Sequence, residues 1–270
     1  MGKVTLNIFM AAIILSLISA CGTSSRKKDA EKTGPEKIAK QVFLIGNGSN
    51  SAGNIEDIIE KSEIRKGGYV VIVNMLTNNQ DSSAYFLRKS FFDQQIMAVH
   101  DFRVYNGISL HNSDIIKVKN ARIICILDNN ANKFLKLAKK TRLKSSLLDA
   151  HKLGALIVGI GKGASILGEY YYEHVKDKMT HRDELAERPG LGILKNTVIE
   201  DIDFYTGHKA TIETQTTEKG LVFIGLDGTS VIWVKNNEAV VLRGAEIGFA
   251  KPNKPSATIK GNSVFELLPQ

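Results

Sequence analysis

Short apolar runs alternate with amphipathic segments, and this alternation constrains the fold of the chain more than any other feature. Four runs are almost continuously apolar, at residues 41–46 (QVFLIG), 68–76 (GYVVIVNML), 121–127 (ARIICIL) and 155–160 (ALIVGI). Helical patterns separate them. Strands that are apolar on both faces and joined by helices are typical of a parallel sheet covered on both sides. We therefore predict an α/β fold with a mostly parallel sheet flanked by helices.

The chain changes character after residue 195. Short apolar runs joined by tight turns predict strands at residues 196–204, 221–228, 229–237, 238–244, 245–250 and 263–269. No internal repeat is present. We predict one α/β domain over residues 41–270 with a β-rich C-terminal extension.

A glycine-dense turn, GIGKGA at residues 159–164, follows the apolar run at 155–160. We predict that a helix follows it over residues 163–179 (GASILGEYYYEHVKDKM) and that residues 176–190 do not form a strand. Three consecutive tyrosines on a helix cannot share one face, so one or two of them pack and the others line a cleft or an interface.

Three interpretations compete for this turn. Gly159, Gly161 and Ala164 fit the G-x-G-x-x-A pattern of dinucleotide-binding folds, but that pattern opens the first βαβ unit, whereas at least four strands precede it here. A phosphate-binding P-loop, a further possibility, would require Ser or Thr after Lys162, and Gly163 in that position argues against it. A sharp structural turn and a nucleophile elbow both remain, since an elbow requires small neighbours of this kind.

The sequence at residues 154–169 (GALIVGIGKGASILGE) resembles the elbow of cyanophycinase-like serine peptidases, related to dipeptidase E, whose usual string is G-G-T-S-A-G-A. Residues 121–147, 192–204 and 219–244 are similar to further segments of that family, in the same order. The resemblance implies a class I glutamine amidotransferase-like, or flavodoxin-like, fold.

The departures from the family pattern fall on its catalytic positions. Gly161 stands where the resemblance places the nucleophilic serine, Asp203 where it places the histidine base, and Ala131 where it places a glutamine. Asp227 alone stands in a segment where the family carries two acids. A glycine has no side chain and cannot form an acyl-enzyme, and a carboxylate is a weak base near neutral pH. No catalytic residue is therefore intact.

We predict ligand-binding roles for Lys162, Gly163, Asn130 and Gly48. Gly48 follows the first strand, at the end of the sheet where α/β proteins bind ligands. Asn130 lies in the segment that replaces G-G-D-Q of the family. The expected ligand is a peptide or another anion, bound near Lys162.

We expect the other candidate residues to be buried packing residues or surface residues. We expect Ser165 to pack, pointing away from the tip of the turn, and His174, His181 and His208 to be surface residues. Cys125 lies in an apolar strand pattern and is expected to be buried. No metal-binding spacing is present, so we expect neither a metal nor a cofactor.

The N-terminus predicts lipid attachment. The apolar run at residues 8–20 is short enough for a signal peptide, and Ile18-Ser19-Ala20-Cys21 resembles the lipobox of bacterial lipoproteins. Residues 1–20 would be the signal peptide, and residues 21–40 the lipidated Cys21 and a polar, flexible tether. The alternative is an ordinary secretory peptide. We expect a cell-envelope protein held to the membrane by lipid, with Gly22 favouring the outer membrane.

The net charge of +8 comes largely from lysines scattered on amphipathic stretches. No basic motif interleaved with aromatic residues is present, so nucleic acid is not an expected partner. A basic surface beside an anionic membrane agrees with the charge.

The leading hypothesis is a catalytically inactive, membrane-anchored homologue of the peptidases that binds a peptide or an anion. One alternative is an active hydrolase of Asp-containing peptides with a rebuilt site, using Lys162 or Asp203 with an activated water. The other is a structural or partner-binding lipoprotein.

Overall fold

The computed structural model describes residues 39–48, 52–75, 80–104, 111–128, 130–176, 183–244, 247–254 and 256–267. All of them belong to one compact unit, Ile38–Gln270. The predicted signal peptide and Cys21 lie outside the described residues, as does His181. Within the ranges just given, every helix is too short or too polar to cross a membrane.

The strands are β1 (Gln41–Ile45), β2 (Val70–Met75), β3 (Val99–Val104), β4 (Ile123–Asp128), β5 (Leu156–Gly161), β6 (Tyr170–Lys176), β7 (Asp183–Pro189), β8 (Thr197–Asp201), β9 (Val222–Leu226), β10 (Val231–Lys235), β11 (Glu238–Arg243), β12 (Ile247–Ala250), β13 (Ala257–Ile259) and β14 (Val264–Glu266). The α-helices are α1 (Ala52–Ser62), α2 (Gln80–Asp93), α3 (Asn112–Lys119), α4 (Ala131–Lys140), α5 (Leu143–Lys152), α6 (Lys162–Ser165), α7 (Ile202–Gly207) and α8 (Lys209–Lys219). A 3₁₀ turn covers Ile64–Lys66.

The larger sheet confirms the predicted α/β fold. Its strands follow the order β14-β11-β10-β1-β5-β4-β2-β3 in the described part of the chain. The run from β1 to β3 is parallel, while β10, β11 and β14 add antiparallel strands beside β1. Ile45 pairs with Ile160, and Asp128 pairs with Gly161, so β1, β4 and β5 end at the same edge of the sheet. The loops that follow these three strands therefore lie side by side.

Apolar side chains cover both faces of this sheet, as continuous apolar strands require. On one face Val42 and Ile124 pack in a core with Phe134 of α4 and Leu147 of α5. On the other face a second core contains Cys125, which is fully buried as predicted. Its members from the helices include Ile58 of α1 and Phe91 of α2.

The smaller sheet has the order β13-β12-β9-β8-β6-β7 in the described residues. Its central strands β6, β8 and β9 are parallel, and its outer strands are antiparallel. A third core joins Phe223 of this sheet to Tyr205 of α7 and Ile212 of α8. The predicted β-rich C-terminal region is therefore present, and its strands are divided between the two sheets.

Three local predictions are wrong. The helix after the glycine turn ends at Ser165, and Tyr170–Lys176 form β6 instead of continuing it. Residues Asp183–Pro189, predicted not to be a strand, pair with β6 along its whole length. Tyrosines fit a pleated surface well, and an edge strand with charged side chains carries no continuous apolar signal. The strand predicted at residues 196–204 ends at Asp201, and α7 begins at the next residue. Helices α3 and α8 were not predicted, because their sequences are largely polar.

Candidate functional site

The turn after β5 has the backbone geometry of an elbow. Gly161 adopts φ 59° and ψ −124°, a conformation that L-residues avoid. A Cβ built on Gly159 would lie 2.6 Å from Cα of Ala164, so the strand and α6 approach too closely for a side chain there. The glycines at 159 and 161 are thus required by close approach and by positive φ, respectively.

The place where a side chain would project from Gly161 is partly filled. A Cβ on Gly161 would lie 2.9 Å from Oδ1 of Asn47, in the loop after β1. That loop is fixed by backbone hydrogen bonds, from Gly46 N to Ser230 O at 2.8 Å and from Gly48 N to Gly228 O at 2.9 Å. Gly48, a predicted ligand residue, therefore contacts the turn after β9.

Beside the tip lies a buried carboxylate that the sequence analysis missed. Glu200 is in β8 with its side chain fully buried, and its Oε2 is 2.7 Å from Nζ of Lys162, whose side chain is 44% exposed. Oε1 accepts a hydrogen bond from Tyr172 N at 2.8 Å. Ser165 is buried, as expected of a packing residue, but its Oγ donates to Oε2 at 3.4 Å, so it faces the site instead of pointing away from it.

Two effects act on the pKa of Glu200. Burial raises it, and this outweighs the opposing effects of the Lys162 ammonium and of the hydrogen bonds from Tyr172 and Ser165. These partners lower the pKa of Glu200 without offsetting the effect of burial. Removing the Lys162 ammonium would raise the pKa further and would leave the carboxyl group with the hydrogen bonds from Tyr172 and Ser165.

A small hollow of about 70 Å³ lies at the tip, between Gly46 and Asn47 of the first loop and Gly161, Lys162 and Glu200. Its described lining offers the carboxyl groups of Glu200 and Asp201, an ammonium and the Ser165 hydroxyl, and Gly161 supplies no nucleophile. The hollow is too small for a peptide substrate, although it has room for water.

A larger hollow of about 250 Å³ lies on the other side of Lys162. It is lined by Asn130, Ala131, Asn132, Lys162, Tyr171, Tyr172, Glu173 and Phe204. The structure therefore brings together three residues singled out from the sequence, namely Lys162, Asn130 and Ala131. We call this hollow the Lys162 pocket.

Hydrogen bonds and ring stacking hold polar groups and aromatic rings in place around the Lys162 pocket. Asn130 Oδ1 caps α4 by accepting from Lys133 N at 3.0 Å, and Asn132 Nδ2 donates to Glu173 Oε1 at 2.9 Å. Tyr172 stacks on Phe204, with ring centroids 5.8 Å apart. A few fixed polar groups beside an apolar wall are typical of a binding pocket for a small molecule or a short peptide.

Asp203, the position of the family base, does not reach the elbow. It is exposed in the first turn of α7, where its backbone N donates to Oδ1 of Asp201 at 2.9 Å. Its side chain lines neither the tip hollow nor the Lys162 pocket. His208 stacks on Phe204 at 4.6 Å and is half-buried, so it is not the plain surface residue predicted.

Asp227 and Gly163 have structural positions in a turn and a helix. Asp227 Oδ1 accepts from the backbone N and the hydroxyl of Thr229, at 2.6 and 2.7 Å, which fixes the turn after β9. Gly163 is buried in α6. The side chain of His174 is outside the described part of the structure. Among the described residues, no group of His, Cys, Asp and Glu side chains is placed to hold a metal ion.

Comparison with known proteins agrees with this geometry. The family model for Peptidase family S51 matches residues 43–248. No curated protein matches the chain. The fold is similar to that of a peptidase from an acI-B1 Actinobacterium, at 14% identity and a TM-score of 0.61, over 86% of this chain and 98% of that one. It is also similar to a candidate peptidase E protein from Listeria monocytogenes EGD-e, at 14% identity and a TM-score of 0.52, over 77% of this chain and 100% of that one.

Proposed function

This chain belongs to peptidase family S51, and from that premise we propose that it is an inactive member that binds peptides at the Lys162 pocket while lipid on Cys21 holds it to the cell envelope. The inactivity, the ligand and the anchor are three separate claims. Each has its own support and its own test.

The observation that carries the inactivity is the state of Gly161. The backbone has the geometry of an elbow, yet the residue at the tip has no oxygen or sulfur, and Asn47 lies where a side chain would project. Covalent catalysis needs a nucleophile and a base within hydrogen-bond reach of it. Asp203 is exposed on α7 and lines neither hollow, so no base is supplied from the family position.

Peptide binding is supported by the chemistry of the Lys162 pocket. An ammonium carries three N–H donors, and the ion pair with Glu200 occupies one of them. The half-exposed Lys162 can therefore bind a carboxylate of the peptide while it neutralises Glu200. The stacked rings of Tyr172 and Phe204 offer an apolar wall for a side chain, and Asn130 offers an amide at the rim.

The anchor is supported by sequence alone. Cys21 follows a short apolar segment and small residues, the pattern that bacterial lipoproteins carry before their lipidated cysteine. Several acyl chains on one cysteine suffice for stable attachment. Mass spectrometry of the N-terminal peptide from the native membrane fraction tests this claim, since an unmodified Cys21 or an intact residue 1 would contradict it.

Inactivity is tested by incubating the purified chain with a diverse peptide pool and reading the products by mass spectrometry. We expect no cleavage above that of heat-denatured protein. The double variant Gly161→Ser, Asn47→Ala restores a hydroxyl and makes room for it, and activity gained only by this variant would support a vacated elbow. Cleavage by the natural chain would overturn the proposal.

Binding is tested by calorimetric titration with short acidic peptides. We expect weak binding that Lys162→Met abolishes, while the matched variant Lys209→Met, on the exposed helix α8, leaves it unchanged. Peptides that give no heat with the natural chain would contradict the binding claim and leave the inactivity untouched.

One observation favours a second candidate, a hydrolase with a rebuilt site. Ser165 Oγ and Lys162 Nζ both contact Oε2 of Glu200, so the carboxylate lies within reach of a hydroxyl proton. Ser165 is only 3% exposed, which argues against attack on a peptide bond. Cleavage by the natural chain that Ser165→Ala abolishes would identify Ser165 as the nucleophile of such a site. Cleavage that survives Ser165→Ala would exclude Ser165 and favour Lys162 or Asp203 with an activated water.

A further inference from the structure

A third and larger hollow lies away from the elbow and is rich in lysine. Its volume is about 570 Å³, and we call it the lysine groove. The charged and titratable residues that line it are Lys40, Lys144, His151, Lys152, Glu169 and Lys195. Its described lining has no residue in common with the tip hollow or the Lys162 pocket.

The groove and the elbow are at opposite ends of β5. Lys40 immediately precedes β1, and Lys152 ends α5 just before β5, so both lie at the amino ends of parallel strands. Gly161 is at the carboxyl end of β5. A strand of this length separates the two ends by about 17 Å. The groove is therefore a separate site with its own chemistry.

Positive charge dominates the groove. The described lining contains four lysines and one carboxylate, that of Glu169. Oε2 of Glu169 already accepts a hydrogen bond from Asn196 N at 2.6 Å. Lys144 is half-buried, and its Nζ donates to the carbonyl of Gly190 at 2.9 Å. A single carbonyl satisfies one of its three donors.

Lys144 lies near enough to other lysines to be repelled by their charges. Burial and the neighbouring charges of Lys139 and Lys195 lower the pKa of Lys144. An anion placed between these ammonium groups would relieve the repulsion and accept their remaining hydrogen-bond donors. His151 adds no charge at neutral pH, because burial lowers its pKa to about 4.

The groove is not only basic. Leu148, Leu191, Ile193 and Tyr170 also line it, and they provide an apolar wall beside the lysines. The volume of about 570 Å³ is far larger than that of a phosphate ion. It has room for a lipid headgroup with the first part of its acyl chains. Basic pockets with apolar walls are a recurrent means of holding anionic lipid headgroups.

The length of the tether permits the groove to reach a membrane lipid. Lys40 follows Cys21 by 19 residues, so its Cα lies at most about 65 Å from the cysteine that would carry lipid. This step depends on the anchoring proposed above. We propose that the lysine groove binds the phosphate of an anionic phospholipid headgroup, with its apolar wall against the glycerol and acyl carbons.

The test is calorimetric titration of the full chain in a neutral detergent with three water-soluble probes. They are dihexanoyl phosphatidylglycerol, dihexanoyl phosphatidylcholine and glycerol phosphate. We expect phosphatidylglycerol to bind at least about tenfold more tightly than either other probe, since it alone offers both a net negative charge and acyl carbons.

Lysine variants test whether the phospholipid binds in the lysine groove. Lys152 and Lys195 are both exposed, so Lys152→Gln, Lys195→Gln should fold normally and weaken binding of phosphatidylglycerol about tenfold or more. The control Lys254→Gln, Lys260→Gln removes the same charge from two exposed residues outside the groove and should change it less than about twofold. Lys144→Gln, checked for a normal melting temperature, provides a second variant inside the groove.

Three results would overturn the proposal. Phosphatidylcholine has the same phosphate beside a cationic choline, so its equal binding would show that the groove does not select an anionic headgroup. Equal loss in the control variant would show that the net charge of the protein alone matters. Glycerol phosphate that binds as tightly as phosphatidylglycerol would assign the groove to a free phosphate ligand instead of a lipid. These probes bind whether or not Cys21 carries lipid, so failure here leaves the anchoring to its own test.

Discussion

The ammonium of Lys162 lies 2.7 Å from Oε2 of Glu200, and this contact joins the turn after β5 in the larger sheet to β8 in the smaller one. The carboxylate is fully buried and the lysine is 44% exposed. Removing one partner of such a pair costs more stability than the pair itself contributes. The reason is that the remaining buried charge loses its oppositely charged partner.

The first prediction concerns this pair. Lys162→Met should lower the free energy of unfolding by about 2 kcal/mol, less than for a fully buried pair because water screens the exposed lysine. Lys162→Met combined with Glu200→Gln should recover part of that loss, since the buried charge is then gone. Chemical denaturation of the single and double variants measures both values.

The control for this prediction is Lys209→Met. Lys209 forms a longer contact with Glu213 on the exposed surface of α8, at 3.9 Å. Its loss should change the free energy of unfolding by less than about 0.5 kcal/mol. If both lysine variants had the same small effect, the buried pair would be electrostatically unimportant.

The second prediction concerns the elbow. Gly161→Ala should destabilise the chain by about 1–3 kcal/mol, because alanine is strained at φ 59° and its Cβ would lie 2.9 Å from Asn47 Oδ1. Gly207→Ala is the matched control. Nothing lies within 4 Å of a Cβ there, and α7 needs no positive φ at that residue.

Thermal or denaturant unfolding of both alanine variants separates the two positions. Gly207→Ala should be neutral or stabilising by up to about 1 kcal/mol, since alanine restricts the unfolded chain. An equal loss at both positions would mean that Gly161 is not held in the elbow conformation.

The parallel strands of the larger sheet could be predicted because the information is local. Four of the five, β1, β2, β4 and β5, are almost continuously apolar, and α1, α4 and α5 have amphipathic patterns. Gly161 could also be placed at the tip, because only glycine and other small residues permit so sharp a turn. These features depend on neighbours in sequence more than on distant partners.

Strand β6 could not be predicted in this way. Its tyrosines are compatible with a helix or a strand, and its main partner β7 carries charged residues that give no apolar signal. Pairing along the full length of both strands decides the conformation. Glu200 was missed for a similar reason. An acid in the apolar pattern of β8 was a visible signal, but its partner Lys162 is 38 residues away.

The third prediction concerns thiol chemistry. Cys125 is fully buried and burial raises its pKa, so the reactive thiolate is scarce and shielded at pH 8. Iodoacetamide should therefore leave Cys125 unmodified in the native chain and react with it only after unfolding. If Cys21 carries lipid, mass spectrometry should find no alkylated site in the native protein and one in the denatured protein.

An introduced cysteine provides the control for alkylation. Thr211→Cys, on the exposed side of α8, should react in the folded chain at a rate typical of a free thiol. Rapid native modification of Cys125 would show that β4 opens to solvent far more often than a central strand should.

The fourth prediction concerns pH. His151 is 5% exposed, and burial lowers its pKa from 6.5 to about 4. Between these values the unfolded chain binds a proton at this residue and the folded chain does not. Stability from His151 is therefore complete above pH 6.5 and is lost as the pH falls towards 4.

The size of this effect follows from the shift. Over pH 7 to 4.5 the natural chain should lose roughly 2 kcal/mol more than His151→Asn does, as measured by denaturant unfolding at each pH. Comparing the two proteins isolates His151 from Glu200, whose raised pKa makes stability fall as the pH rises above 4.5. Parallel curves for the natural chain and His151→Asn would show that the imidazole is as accessible to protons in the folded chain as in the unfolded one.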